Sequence, residues 1–196
     1  DAVRLNGSVP ATIAIIEGNI KIGLNNNDIN ILAKSNDVEK VSVHNLAIPI
    51  ANKTNAATTV ASSIYLASLI GIKFFATGGI GGVHLMAKET FDISSDLNEL
   101  SKTKLYVVCS GAKSILDIDK TYEKLETLGI PRIGYNTDFM PGFWYHQTNK
   151  EVDYNYKSSQ DLVNFLKIRE SLKQNSSVLI FNNLPKNKAI KKDLIE

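Results

Sequence analysis

The stretch Thr58–His84, TTVASSIYLASLIGIKFFATGGIGGVH, decides the fold. Val60, Ile64, Leu66, Ala67 and Ile70 fall near the i, i+3, i+4, i+7 spacing of a helix, with Thr58 or Thr59 as N-cap and Gly71 as stop. Lys73–Thr77, KFFAT, follows at once as a strand, and two glycine pairs around Ile80 come next. Glycine admits positive φ and lets another group approach the main chain closely. A backbone this bare, just past a strand, reads as a loop that holds something small.

Working outward, the same alternation continues. SSDLNELSK reads as a helix opened by serine caps, Leu105–Ser110 (LYVVCS) as a buried strand, Ser114–Gly129 as a helix and RIGYN as a strand. Residues 137–160 lose this rhythm, and a helix over Asp161–Gln174 and the strand SVLIFNN restore it. Towards the N-terminus, ATIAII and NIKIGL form two strands joined by a tight turn at Glu17–Gly18, followed by a helix from Asn26 to Lys34. Helices and strands in turn predict an α/β fold, a three-layer α/β/α arrangement with a mostly parallel central sheet. A single domain over 1–196 is expected, cut from a longer chain, because the sequence opens on Asp1 and ends in the unfinished helical pattern NKAIKKDLIE.

Composition narrows the function. A hydrophobic content of 43% supports a real core, and a net charge of +2 without a basic stripe argues against nucleic acid as a partner. Cys109 is the sole cysteine, which excludes an intrachain disulfide and a thiolate metal site built from this chain. No apolar run approaches the roughly 18 residues of a membrane-spanning helix. No secretory signal is present, so a cytoplasmic protein is expected.

In open α/β sheets, ligands bind beyond the carboxyl ends of the strands. Two strands end in glycine-containing loops, FFAT into GGIGGVH and YVVCS into GAKS, and both should open on one sheet edge. His84 stands where a dinucleotide-binding G-x-G-x-x-G needs its third glycine. Ala112 and Val107 stand where a P-loop needs glycine, so both nucleotide motifs are disfavoured. Exposed amides in the two loops would instead suit a phosphate or sugar oxygen; the competing reading is glycine for tight packing. Lys113 follows an apolar strand beside small residues, a crowded edge where lost solvation favours a neutral, nucleophilic amine. It also reads as a plain exposed lysine. The DISSD cluster, Asp92–Asp96, is either an oxygen-rich seat for a hard divalent cation or a helix N-cap.

Taken in order, PATIAII (Pro10–Ile16), KVS (Lys40–Ser42), ATTVASS (Ala57–Ser63), FATGGIGGVH (Phe75–His84), TFDISSDLNEL (Thr90–Leu100), VVCSGAKSILDI (Val107–Ile118) and LETLGIP (Leu125–Pro131) resemble the pseudouridine-5′-phosphate glycosidases. The resemblance implies an enzyme of the hydrolase or lyase type that depends on Mn²⁺, assembles as a homotrimer, and reversibly cleaves the C–C bond between uracil and ribose 5-phosphate in pseudouridine 5′-phosphate. It implies that Lys113 bonds covalently to the opened ribose as a Schiff base and that Asp92 holds the metal largely through water. Ser94, Ser95 and Asp96 would contact substrate, Lys40 and the Val60 backbone would hold the 5′-phosphate, and Thr59, Thr77 and His84 would lie close by. The family usually has two basic residues and an aspartate after KVS and an arginine after GGVH; this chain has Val43, His44, Asn45 and Leu85 there. Its patterns also include an N-terminal segment with the glutamate taken as proton donor and a C-terminal helical region, both outside Asp1–Glu196. Those departures keep open two alternatives, a catalytically impaired relative that binds sugar phosphate and a metal-independent, aldolase-like lysine enzyme.

Overall fold

The computed structural model describes residues 2–195, which divide into two compact units that meet in sequence at Ile70 and Gly71.

The smaller unit contains α1 (Ala2–Leu5), β1 (Ile13–Ile16), β2 (Asn19–Ile22), α2 (Asn26–Lys34), β3 (Glu39–Val41), α3 (Ala47–Asn52), β4 (Ala56–Thr58) and α4 (Val60–Leu69). The strands β1 and β2 pair antiparallel, Ile13 opposite Ile22 and Ile16 opposite Asn19. Their two-residue turn is Glu17–Gly18 with φ of 49° and 76°. Two left-handed residues in succession give the turn whose twist matches a hairpin. Asn25 opens α2 with a reciprocal cap, its side chain accepting from the Asp28 amide while its own amide donates to the Asp28 carboxylate. The sheet order is β2-β1-β4-β3, and only β3 and β4 run parallel. The sequence announces the β1–β2 hairpin but not β3 and β4, because strands of three residues are too short to show a period of two.

Thr59 caps α4, as its sequence predicts, by accepting from the Ser62 amide. The helix buries Ala61, Ser62, Ser63, Ile64, Leu66 and Ala67, residues on more than one face. Its two buried serines hydrogen-bond the sheet: Ser62 Oγ donates to Val41 O at 2.8 Å and Ser63 Oγ to Thr58 Oγ1 at 2.9 Å. That satisfies polar groups that burial would otherwise penalise.

The larger unit contains β5 (Phe74–Ala76), α5 (Ala87–Thr90), α6 (Ser95–Leu100), β6 (Tyr106–Cys109), α7 (Ile118–Thr127), β7 (Arg132–Tyr135), β8 (Tyr154–Tyr156), α8 (Ser159–Ser171) and β9 (Val178–Phe181). All five strands are parallel, in the order β5-β6-β9-β7-β8. Alternate residues of a strand face opposite ways. Ile133, Val178 and Ile180 pack with Leu166, Leu162 and Phe165 of α8 on one face. Val107, Leu179 and Phe181 point the other way and are fully buried, as are Leu97 and Leu100 of α6 and Leu125 of α7. The sheet is covered on both sides, so the fold is a three-layer α/β/α with a mostly parallel sheet.

Two boundaries differ from expectation. Helix α7 begins at Ile118 and not at Ser114, because Asp117 caps it and the Leu116 and Asp117 amides donate to Lys113 O and Val83 O. Strand β8 lies inside 137–160, a segment whose sequence reads as irregular; its central Asn155 breaks the apolar pattern of an interior strand.

Candidate functional site

In the larger unit the chain leaves β5 and β6 side by side and the two loops stay paired beyond the strands. Thr77 donates to Val108 O (3.0 Å), Ser110 to Gly78 O (3.0 Å), Ile80 to Gly111 O (3.1 Å) and Lys113 to Ile80 O (3.1 Å), all through backbone amides. The glycine loop and the GAKS loop therefore share one edge, as the strand order predicts. Between them and the end of β9, Thr77, Gly78, Cys109, Ser110 and Asn182 line a cleft of about 310 Å³. Burial pushes the Cys109 thiol up to about 12, against a smaller opposite pull from the Gly111 amide. A thiol held that high stays protonated, so Cys109 is not the nucleophile here.

A second seam joins the glycine loop to the acidic cluster. Ser94 donates its amide to Gly82 O at 2.9 Å, and His84 donates its amide to Asp92 O at 3.0 Å. Asp96 is buried at 5% exposure, and its Oδ2 accepts the Gly81 amide at 2.8 Å. Ser94 caps α6 through the Asp96 amide, as its serine predicts, and Ser95 is the exposed first residue of that helix. Asp92 is exposed, with its carboxylate 3.7 Å from His84 Nδ1. Lys113, Thr77, His84, Asp92 and Ser94, with Ser95 and Asp96 in the first turn of α6, thus lie on segments tied to one another within this unit.

The glycines serve packing more than conformation. None of Gly78, Gly79, Gly81 and Gly82 has a positive φ. A Cβ on Gly81 would collide with Ser94 and lie 2.8 Å from Asp96 Oδ2, and one on Gly79 would lie 2.6 Å from the Phe143 ring. The small groups the loop accommodates are the protein's own. Its amides are also less available than expected, since those of Thr77, Ile80, Gly81, Val83 and His84 all donate within the chain. Nor is Lys113 crowded as its small neighbours suggest, for the side chain is exposed.

Two contributors carry no motif. Thr121 of α7 is fully buried, and its Oγ1 accepts the Val83 amide at 2.9 Å while donating to Asp117 O at 2.7 Å. Residues 142–144 fold onto the site as well: Phe143 donates its amide to Ser110 O at 2.9 Å, and Ser114 Oγ donates to Gly142 O at 2.6 Å. Phe143 sits at φ 66°, a left-handed conformation rare for an aromatic residue. Thr121, one turn before the buried Leu125 in IDKTYEKLET, is the only sequence signal for the first; the second has none.

The remaining predicted residues belong to the smaller unit. Lys40 is exposed on β3 opposite Ala57 of β4, Thr59 donates its amide to Val41 O at 3.0 Å, and Val60 opens α4. Thr59 and Val60 lie beyond the carboxyl end of β4 at the N-terminus of a ten-residue helix, a location that favours anions, and Lys40 is one residue short of the end of the neighbouring β3. Asn45, where the resemblance would place charge, accepts the Ser42 amide at 2.8 Å and stabilises a turn.

Among the described residues no three His, Cys, Asp or Glu side chains converge as a metal cage. One exposed carboxylate fits a hard cation that keeps most of its water, as Mg²⁺-like ions do, and does not fit a dehydrated site. Among the described residues no helix is long and apolar enough to cross a membrane.

Comparison with known proteins gives this edge a context. The family model described as Indigoidine synthase A like protein matches residues 1–196. Proteins named pseudouridine-5′-phosphate glycosidase from Brachyspira hyodysenteriae and Staphylococcus aureus are 49% and 47% identical over 98% and 99% of this chain. The chain spans 63% of the length of either. The crystal structure of the prealnumycin C-glycosynthase AlnA in complex with ribulose 5-phosphate superposes with a TM-score of 0.94 at 36% identity, over 98% of this chain and 64% of that one. An indigoidine synthase A (IdgA)-like protein from Thermotoga maritima gives 0.91 at 32% identity over the same shares.

Proposed function

The chain belongs to the Indigoidine synthase A like family, and from that premise we propose that it carries the core of an enzyme that reversibly cleaves the C–C glycosidic bond of pseudouridine 5′-phosphate. Relatives bearing that enzyme's name, and a C-glycosynthase neighbour crystallised with a sugar phosphate, support this chemistry. One structural observation carries it to residues: the loop holding Lys113 is hydrogen-bonded to the glycine loop, which is hydrogen-bonded in turn to Asp92, Ser94 and Asp96.

A carbon leaving group departs only as a stabilised anion, so the paired-carboxylate route of ordinary glycosidases does not serve. In the proposed reaction the C1′–O4′ bond breaks, its electron pair going to O4′, which takes up a proton, and the Lys113 amine, in its unprotonated form, bonds to C1′ and gives up a proton. The C1′–C5 bond then breaks, its electron pair going to uracil C5, which takes up a proton, while the nitrogen lone pair forms the C1′=N iminium. Water adds to the iminium, releasing ribose 5-phosphate and the free amine; synthesis runs the same steps backwards. Asp96 fixes the glycine loop by accepting the Gly81 amide, the Ser94 hydroxyl lies against Gly81, and Ser94 and Ser95 are proposed substrate contacts. Lys40, Thr59 and Val60 are the proposed phosphate contacts. Asp92 would hold Mn²⁺ through water, where the cation would offset negative charge on the reacting sugar or base. The trimeric assembly and cytoplasmic location stay part of the proposal.

The test is to incubate the protein with ribose 5-phosphate and borohydride and to locate the adduct by mass spectrometry. A reduced pentose phosphate on Lys113 is expected; an unmodified Lys113 alongside measurable uracil release rejects the covalent role. Binding of ribose 5-phosphate, seen as thermal stabilisation, without any uracil release selects the impaired-relative reading, which Val43, His44, Asn45 and Leu85 favour.

A further inference from the structure

The larger unit has a second cleft that the proposed reaction does not use. It lies at the amino-terminal ends of β5 and β6, where Lys73, Lys104, Tyr106, Arg169 and Glu170 enclose about 270 Å³. With strands of three and four residues, this cleft and the one at the carboxyl edge are roughly 10–13 Å apart along the sheet at about 3.3 Å per residue.

Three of those five side chains are cations and one is an acid. The acid is already matched: Glu170 Oε1 accepts from Lys73 Nζ and from the Tyr106 hydroxyl, each at 2.8 Å. These two bonds, the lysine's foremost, hold the Glu170 carboxyl below its ordinary range. Among the described residues, neither Lys104 nor Arg169 has a carboxylate within ion-pair distance; the lysine of this cleft that has one is Lys73.

Arg169 is the telling group. It is 8% exposed, and its Nη atoms donate to neutral oxygens, Gln174 Oε1 at 2.6 Å and Ser176 O and Oγ at 3.1 Å. Burial lowers its pKa, and the nearby Tyr106 only partly offsets that. It sits in the last turn of α8, where the helix dipole favours a cation modestly. Withdrawing a cation from water costs more than a helix end returns, so this one is left undercompensated. An anion in the cleft would supply the missing charge, and three cations against one acid leave a net charge that matches a dianion.

We propose that this cleft binds a small phosphate-class dianion through Arg169 and Lys104, with Lys73 at its rim. The site is distinct from the one that engages substrate and does not depend on the C-glycosidic chemistry. The test is titration of the ¹⁵N-labelled protein with inorganic phosphate at constant ionic strength, with acetate as a monoanion control. Saturable shifts at residues 104–106 and 169–176 are expected, with Lys104→Glu weakening the apparent affinity by about tenfold or more. Lys104 is exposed, so its reversal leaves the core intact. Shifts confined to residues 77–84 and 110–114, no saturable shift at all, an affinity unmoved by Lys104→Glu, or acetate binding as well as phosphate would each overturn the proposal.

Discussion

Thr121→Val removes the hydroxyl that clamps the glycine loop while keeping the shape of the side chain. The Val83 amide then has no acceptor in a buried position, at a cost of about 1–3 kcal/mol, and the bond to Asp117 O, worth about 1 kcal/mol, is lost too. The sum is about 2–4 kcal/mol, or about 4–16 °C in Tm for a chain of this size. Thr127 on the same helix is the internal control. Its Oγ1 makes the same back-bond, to Glu123 O at 2.9 Å, but it is exposed, so Thr127→Val should change stability by no more than about 0.5 kcal/mol. Thermal unfolding of both variants measures the difference. Thr121→Ser keeps the hydroxyl and should restore most of it. Borohydride trapping at Lys113 should slow in Thr121→Val in step with loop displacement and recover in Thr121→Ser. Equal stability of the two valine variants, or no recovery with serine, would refute the clamp.

Lys113→Ala should abolish trapping and lower uracil release by about a thousandfold or more, as losing the nucleophile of a concerted site does, while far-ultraviolet circular dichroism stays unchanged because the side chain is exposed. Asp92→Asn should remove stimulation by Mn²⁺ without altering the melting temperature, read from activity across a metal titration and from a thermal scan. Asp117→Ala removes the cap of α7, where Asp117 accepts the Lys120 amide at 3.0 Å, and should cost about 1 kcal/mol. Burial raises the Asp117 pKa, but the hydrogen bonds and charge of Lys120 outweigh it and hold the carboxyl below the ordinary aspartate value. A depressed acid stabilises the fold above its unfolded pKa and loses that stabilisation as pH falls through the folded value. The gap in unfolding free energy between wild type and Asp117→Ala should therefore be full at pH 7 and shrink below about pH 4.

The layers are legible because the residues that build them repeat: α4 and β5 announce themselves in TTVASSIYLASLIGIKFFAT, and the short apolar runs within LYVVCS and SVLIFNN read as interior strands. The site is legible as far as its loops, since neighbouring parallel strands must deliver their outgoing loops to one edge. The hidden part depends on distance and not on residue type. A glycine run looks the same whether it leaves amides open or has them taken, and here Asp96 and Thr121, 15 and 38 residues away, take two of them. The same ambiguity surrounds Lys113, whose neighbours in sequence are small but whose side chain meets solvent. Short strands such as β8 fall below the length at which alternation can be seen, so a segment that looks formless in fact bends Phe143 against Gly79. If the loop is held by side chains of α6 and α7, then under the proposed function it serves to fix Lys113 and Asp92 relative to each other. On that logic, substitutions at the clamps should lower turnover more than they lower ligand affinity.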